Sequence, residues 1–277
     1  MFAGGKARVG FPTPSKKLEL FSPTMVDWGW PELSTPVYVE SHIDEAKLDR
    51  SKNEMVLVAT FRLPTLIHTR SANSKWLTEL SNTNPVWMHP SDAVRIGVEM
   101  GDLLRVSTRT GYYCNAVWVT EGVRPGIVAC SHHMGRWTVK GDQVTGNHWQ
   151  LHDVDLRKVT DTAYLMRRIK DVGTFASKDK ESEKVWWSSG GVHQNMTFPV
   201  QPDPVSGMHC WHQKVVVTAA EPGDRYGDVF VDTAKSMEVF EEWMAKTRPA
   251  GEFGVDGLRR PLQFKRVCRP TDAAFQL

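Results

Sequence analysis

A chain of 277 residues, 40% hydrophobic and 24% charged, can bury one large core or two smaller ones and has an ordinary globular composition. Its net charge of +2, from 34 basic and 32 acidic residues, carries no global field toward nucleic acid or an anionic membrane. No stretch approaches the ~18–20 apolar residues that span a bilayer, and the opening MFAGGKARVG lacks the apolar centre of an export signal.

Residues 1–54 are rich in proline and polar groups, with one short apolar run in KKLELFSP (16–23), and are expected to form an extended arm. From 55 the pattern predicts strands: MVLVATF (55–61), PVWMH (85–89), LLRVSTR (103–109), YYCNAVWV (112–119) and GIVAC (126–130). These runs are short, rich in valine and aromatics, and bounded by Gly, Pro and Asp, as in a barrel or sandwich. RTGYYCN (109–115) reads as a hairpin, with Gly111 supplying a positive backbone angle. Two short helices interrupt the strands. One follows Asn73 and carries Trp76, Leu77 and Leu80; the other, PSDAVRIG (90–97), has Pro90 at its start and Gly97 at its end. Residues 140–187 read as a charged insertion with one helix, DLRKVTDTAYLMRRIK (155–170). Strand pattern returns at KVVVTAA (214–220). A last helix over 232–249 starts at an Asp cap and is expected to bury Met237, Phe240, Trp243 and Met244. The division is thus an arm over 1–54, a β domain over 55–220 and a C-terminal helix and tail over 221–277 packed on it.

Four cysteines, Cys114, Cys130, Cys210 and Cys268, lie far apart with no CxxC pair. Buried free thiols are expected rather than a zinc ribbon or an iron–sulfur cluster. His148 and His152 stand at i and i+4 in GNHWQLHDVD, which on a helix could share a metal, but the usual glutamate after the first histidine is absent. Surface polar residues are the better reading there. No nucleophile elbow, Walker loop or GxGxxG follows a strand.

Three polar stretches remain. The first places Arg62, His68, Thr69, Arg70, Ser71 and Asn73 just where a strand hands over to a helix. Arginines and helix-start N–H groups grip phosphate, so this loop could clasp a phosphorylated cofactor; a solvated loop before a capped helix is the plainer alternative. The second, ACSHHMGRW (129–137), offers His132, Gly135 and Arg136; adjacent histidines at a strand end point apart, which favours hydrogen bonding over chelation. The third, SSGGVHQNMTFPVQPDPVSGMHCWH (188–212), has glycines that admit a flat ligand and Gln194 and Asn195, whose amides suit a heteroaromatic edge. Taken alone, it is equally a structural turn.

In order, these pieces resemble the final domain of the dimethyl-sulfoxide-reductase family of molybdoenzymes. GFPTPSKKLELFS (10–22) resembles the segment running into that domain, HTRSAN…WLTEL its opening motif, and NPVWMHPSDAVRIGVEMGDLLRVSTRTG (84–111) its strand–helix–turn–strand signature. VRPGIVACSHHMGRW and GGVHQNMT…DPVSGMHCW resemble its later cofactor-facing loops. The resemblance implies a mainly-β fold with flanking helices, a six-stranded double-psi β-barrel that binds molybdopterin guanine dinucleotide. Arg62, His68, Thr69, Arg70 and Ser71 would face pterin or phosphate, and Asn73 would fix the helix start. His132, Gly135 and Arg136 would belong to the second loop, Gln194 and Asn195 to the third; His193 replaces the first of two asparagines common there. The wording is nearest to the thiosulfate, polysulfide, tetrathionate and arsenate reductase group.

The resemblance further implies molybdenum or tungsten shared with preceding catalytic domains, which would also hold the metal ligand and the four-cysteine iron–sulfur motif. The partners would be that large catalytic portion and an iron–sulfur electron-transfer subunit, with no nucleic acid. No catalytic or metal-ligating residue is assigned to this chain, which alone would not turn over substrate. By analogy the compartment would be the periplasm or the cytoplasm. The rivals are a β-barrel interaction module, a degenerate subunit without cofactor, and a hydrolase built on residues 148–155.

Overall fold

The computed structural model describes residues 2–3, 6–7, 11, 13, 17–63, 77, 80, 83–132, 137–139, 152–171 and 191–248. Two compact units divide the chain: residues 1–40 with 203–207 and 243–277, and residues 41–202 with 208–242. In the first unit, β1 (Phe2–Ala3) pairs antiparallel with β2 (Lys6–Ala7), and α1 spans Pro23–Asp27. The Arg248 guanidinium lies 3.9 Å over the Trp30 ring and ion-pairs with Glu32 at 2.6 Å. The arm expected from sequence therefore contains local helical turns as well as extended chain.

The second unit holds β3 (Glu54–Val58), β4 (Val86–Met88), β5 (Leu103–Ser107), β6 (Gly111–Val119), β7 (Ile127–Ala129) and β11 (Gln213–Ala219). Their lateral order is β4-β7-β3-β11-β5-β6, and β6 pairs back onto β4, so six strands close into a barrel. Two of the pairings, β3 with β7 and β4 with β6, are parallel, as the double-psi arrangement requires; the others are antiparallel. All six strands coincide with the runs read as strands in the sequence. Alternation does the work: Met55 and Leu57, Val86 and Met88, Leu104 and Val106, Val215 and Val217 all point inward and are buried.

The β6 strand continues past the barrel as one edge of a second layer, pairing with β12 (Val229–Asp232), then β10 (Ala163–Asp171), β9 (His152–Lys158) and β8 (Trp137–Val139). Here the sequence misled. Leu156, Val159, Ala163 and Met166 recur at helical spacing, yet Leu156 and Val159 are exposed and the segment is a β-hairpin. Its turn is fixed by Thr160, whose Oγ1 accepts from the N–H groups of Thr162 and Ala163. His152 opens β9, while His148 lies outside the described residues.

Two bidentate arginine pairs anchor this layer. Arg105 binds Asp224 at 2.6 and 3.0 Å, and Arg167 binds the fully buried Asp228. Cys114 sits between these carboxylates, and among the described residues the three form the one cluster close enough to suggest a metal. The arginines already neutralise both carboxylates, and burial pushes the Cys114 thiol upward, so the cluster is structural. Cys114, Cys130 and Cys210 are free, as expected, the first two buried.

The α2 helix (Pro90–Ile96) begins and ends as its sequence dictates. His89 Nδ1 accepts from the Ser91 N–H, Pro90 opens the helix, and Gly97 closes it in the left-handed region at φ 81°. The α3 helix (Thr233–Met244) is capped by Asp232, whose Oδ1 accepts from the N–H groups of Ala234 and Lys235. Its buried residues are Val239 and Trp243; Met237 is exposed, and Phe240 and Met244 are half-buried. No helix among the described residues is long and apolar enough to cross a membrane.

Gly111 also departs from expectation. Its φ is not positive. The requirement is space: a Cβ there would stand 2.0 Å from the backbone oxygen of Phe230 on the neighbouring β12.

Candidate functional site

The barrel registers decide which loops meet. Val58 of β3 lies beside Ala129 of the parallel β7, so both strands end at one rim. Leu57 pairs with Gln213 at the start of the antiparallel β11, and Ser107, ending β5, pairs with Val216. The rim therefore gathers the segment after β3, the turn after β5, the segment after β7 and the segment before β11. The first, third and fourth are the three polar stretches singled out in the sequence.

Each is rooted by specific contacts. After β3, Phe61 packs at a tilt against Trp87 with ring centroids 4.7 Å apart, and Leu63 is buried against the same pair. Arg62, between two anchored apolar residues, is left exposed. Just before it, Thr60 Oγ1 lies 3.1 Å from His212 Nε2, and the His212 carbonyl accepts from His42 Nε2 at 2.8 Å. His68, Thr69, Arg70, Ser71 and Asn73 lie outside the described residues; Leu77 and Leu80, in the expected following helix, are helical.

Past β7 the chain leaves the sheet, and a side chain takes over the ladder. Asn84 Nδ2 donates to the Ser131 carbonyl at 2.6 Å, while the Ser131 N–H donates to Asn84 Oδ1 at 3.2 Å. That reciprocal pair imitates the antiparallel β4–β7 ladder beyond its last backbone bond. Asn115 of β6 donates to the Asn84 carbonyl at 2.8 Å. Asn84, Asn115 and Ser131 are all at most 1% exposed, and burial of unpaired amides would be costly, so the network fixes one arrangement. His132 follows at once, half-buried in a turn; Gly135 and Arg136 lie outside the described residues.

The third stretch docks onto both neighbours. Gln194 opens a short helical turn (Gln194–Thr197) and is buried, its Nε2 donating to the Cys130 carbonyl at 2.8 Å and its Oε1 accepting from the Tyr113 hydroxyl. Burial pushes the Cys130 thiol up to about 12, so it is inert. The Thr197 carbonyl accepts from Thr108 and Thr110 in the β5–β6 turn. Gly191, at φ 91°, takes a backbone conformation that side chains disfavour, and its N–H donates to the Tyr226 hydroxyl. Asn195 is exposed. Of the two amides expected to face a ligand, Gln194 thus braces the loops while Asn195 stands outside.

Sequence reasoning missed Asn84, Asn115, Ser131 and Gln201. An asparagine inside the apolar strand YYCNAVWV was a visible signal, since strands disfavour it unless its amide is bonded. Gln201 is 7% exposed, and among the described residues its Oε1 has no hydrogen-bond partner. Arg62 and Asn195 are exposed and His132 is half-buried, so their nitrogens can donate, whereas the Gln201 oxygen can only accept.

The fold is thus a closed six-stranded barrel with three polar stretches gathered at one rim. Residues 56–163 match the molydopterin dinucleotide binding domain, and the curated relatives include molybdopterin reductases of the dimethyl-sulfoxide-reductase family. The chain is similar to dopamine dehydroxylase of Eggerthella lenta, 28% identical over 155 residues, 54% of this chain and 15% of that protein. Similarity extends to the thiosulfate reductase molybdopterin-containing subunit PhsA of Salmonella typhimurium, 31% identical over 42% of this chain and 14% of that protein. The arsenate respiratory reductase molybdopterin-containing subunit ArrA of Chrysiogenes arsenatis is 24% identical over 47% of this chain and 19% of its own. Acetylene hydratase from Pelobacter acetylenicus superposes with a TM-score of 0.39 at 23% identity, over 47% of this chain and 18% of that one. The chain spans less than a fifth of the length of these curated relatives.

Proposed function

We propose that this chain holds molybdopterin guanine dinucleotide as part of a molybdenum or tungsten oxidoreductase, of the type that reduces sulfur oxyanions, polysulfide or arsenate. The observation that carries this reading is the rooting of three polar stretches at one rim, tied by Thr60 to His212, Asn84 to Ser131 and Gln194 to the Cys130 carbonyl. Arg62, His132 and Asn195 would hold the cofactor, with His68, Thr69, Arg70, Ser71, Asn73, Gly135 and Arg136 of the same stretches beside them. When bound, the cofactor supplies a dithiolene-held metal for oxygen-atom or electron transfer. This chain's share is to position the dinucleotide and neutralise its phosphates with donors set in place beforehand. The metal ligand and any iron–sulfur cluster would belong to a catalytic portion of the enzyme, and this chain alone would not turn over substrate.

Arg62 gives the cleanest test, because it is exposed and its removal leaves the core untouched. In the assembled enzyme, Arg62→Ala is expected to weaken dinucleotide retention roughly tenfold at an unchanged thermal midpoint. Pterin and metal content equal to wild type under dilution would remove Arg62 from the site.

A further inference from the structure

We infer that Gln201 is the ring-edge acceptor of the site: its Oε1 takes a hydrogen bond from an N–H group of a fused heteroaromatic ring. The inference rests on the cofactor-binding reading above. Folded proteins pair nearly all buried polar atoms, and an amide oxygen left unpaired calls for an explanation. Gln201 is otherwise held firmly. Its carbonyl accepts from the Cys210 N–H at 2.9 Å, its N–H donates to His209 Nδ1, and Pro202 forms a β-bridge with His209. The backbone is thus fully used, and the side-chain oxygen is the group left over.

Its position points to the same ligand. Four residues upstream, Thr197 is pinned to the β5–β6 turn; just downstream of its partner Cys210, His212 meets Thr60 at the root of the Arg62 segment. An amide oxygen only accepts, and a diphosphate at neutral pH has no proton to give it, so phosphate is not its partner. Pterin and guanine both present a ring N–H beside an exocyclic amine. Gln201 therefore selects for a ring edge that donates, and a ring lacking those hydrogens leaves the oxygen buried and unpaired.

The test compares the wild-type full chain with Gln201→Met, which keeps the side-chain length and removes the acceptor. Titration calorimetry with GDP, IDP and pterin separates the two sources of the N–H, and IDP, lacking the exocyclic amine, identifies which hydrogen is read. The variant is expected to bind GDP or pterin roughly tenfold more weakly while its thermal midpoint is unchanged or higher, since an unpaired buried oxygen has been removed. A midpoint lowered by several degrees would show that the oxygen is bonded within the fold, and variant affinities for GDP and pterin equal to those of the wild type would show that it touches neither ring. Either result overturns the inference. Should Arg62→Ala still lower GDP affinity when Gln201→Met does not, only the Gln201 assignment falls; a wild-type chain that binds neither probe counts against the parent reading as well.

Discussion

At Gly111 a hydrogen in place of a methyl group lets β12 lie against β6, because the backbone oxygen of Phe230 occupies the space a Cβ would need. The obstacle is main chain, which cannot swing aside as a side-chain tip can. Gly111→Ala is expected to cost ~1–3 kcal/mol as an overpacking defect. Urea unfolding should show a lower midpoint at an unchanged slope; an unaltered midpoint would mean that β12 can retreat without cost. Sequence reading chose the right residue for the wrong reason here, since glycine is read first as a turn former, and close approach depends on a strand 119 positions away. The same limit applies to Gln201, whose significance lies in a missing partner and not in its type.

Among the elements, the junction between β4 and β7 bears most on the proposed site. Backbone pairing ends at Trp87–Ala129, and the Asn84 amide extends it to Ser131. Asn84→Leu keeps the branched shape but removes the amide that bonds the Ser131 N–H and carbonyl in a dry interior, each loss at ~1–3 kcal/mol. The expected loss is ~2–4 kcal/mol in chemical denaturation, with amide exchange at Ser131 and His132 accelerated beyond that of β7. Uniform protection would mean that the segment is held by other means. All six barrel strands were legible from alternation and bounding Gly, Pro and Asp. The β9–β10 hairpin was not, because its apolar residues fall at helical spacing and its identity rests on pairing with β12, a contact no local pattern encodes.

For the whole molecule, stability should depend on acid in a defined sense. His209 and His212 are both held below the ordinary histidine value of 6.5, first by burial and then by the neighbouring His42. Between the lowered folded values and 6.5 the unfolded chain binds more protons than the folded one. Stability is therefore full above 6.5, falls as pH drops through 6.5, and levels off below the folded values. The urea midpoint should be lower at about pH 5.5 than at about pH 8, and less so in His212→Asn, whose amide can still bond Thr60 without titrating. Equal midpoints in the wild type would contradict the linkage. The barrel and the three polar stretches rooted at its rim were visible in the sequence because ordered motifs carried them. The histidine cluster was not, since His42 and His212 are 170 positions apart and meet only once β11 lies beside β3.

The borrowed amide at Asn84 also separates two demands on the chain. A strand that must keep its register and the segment that follows it are joined by a clasp at Ser131, so changes on one side need not propagate to the other. Residues spliced in after His132 would then leave the barrel in step, whereas one residue added between Asn84 and Val86 would slip the clasp itself.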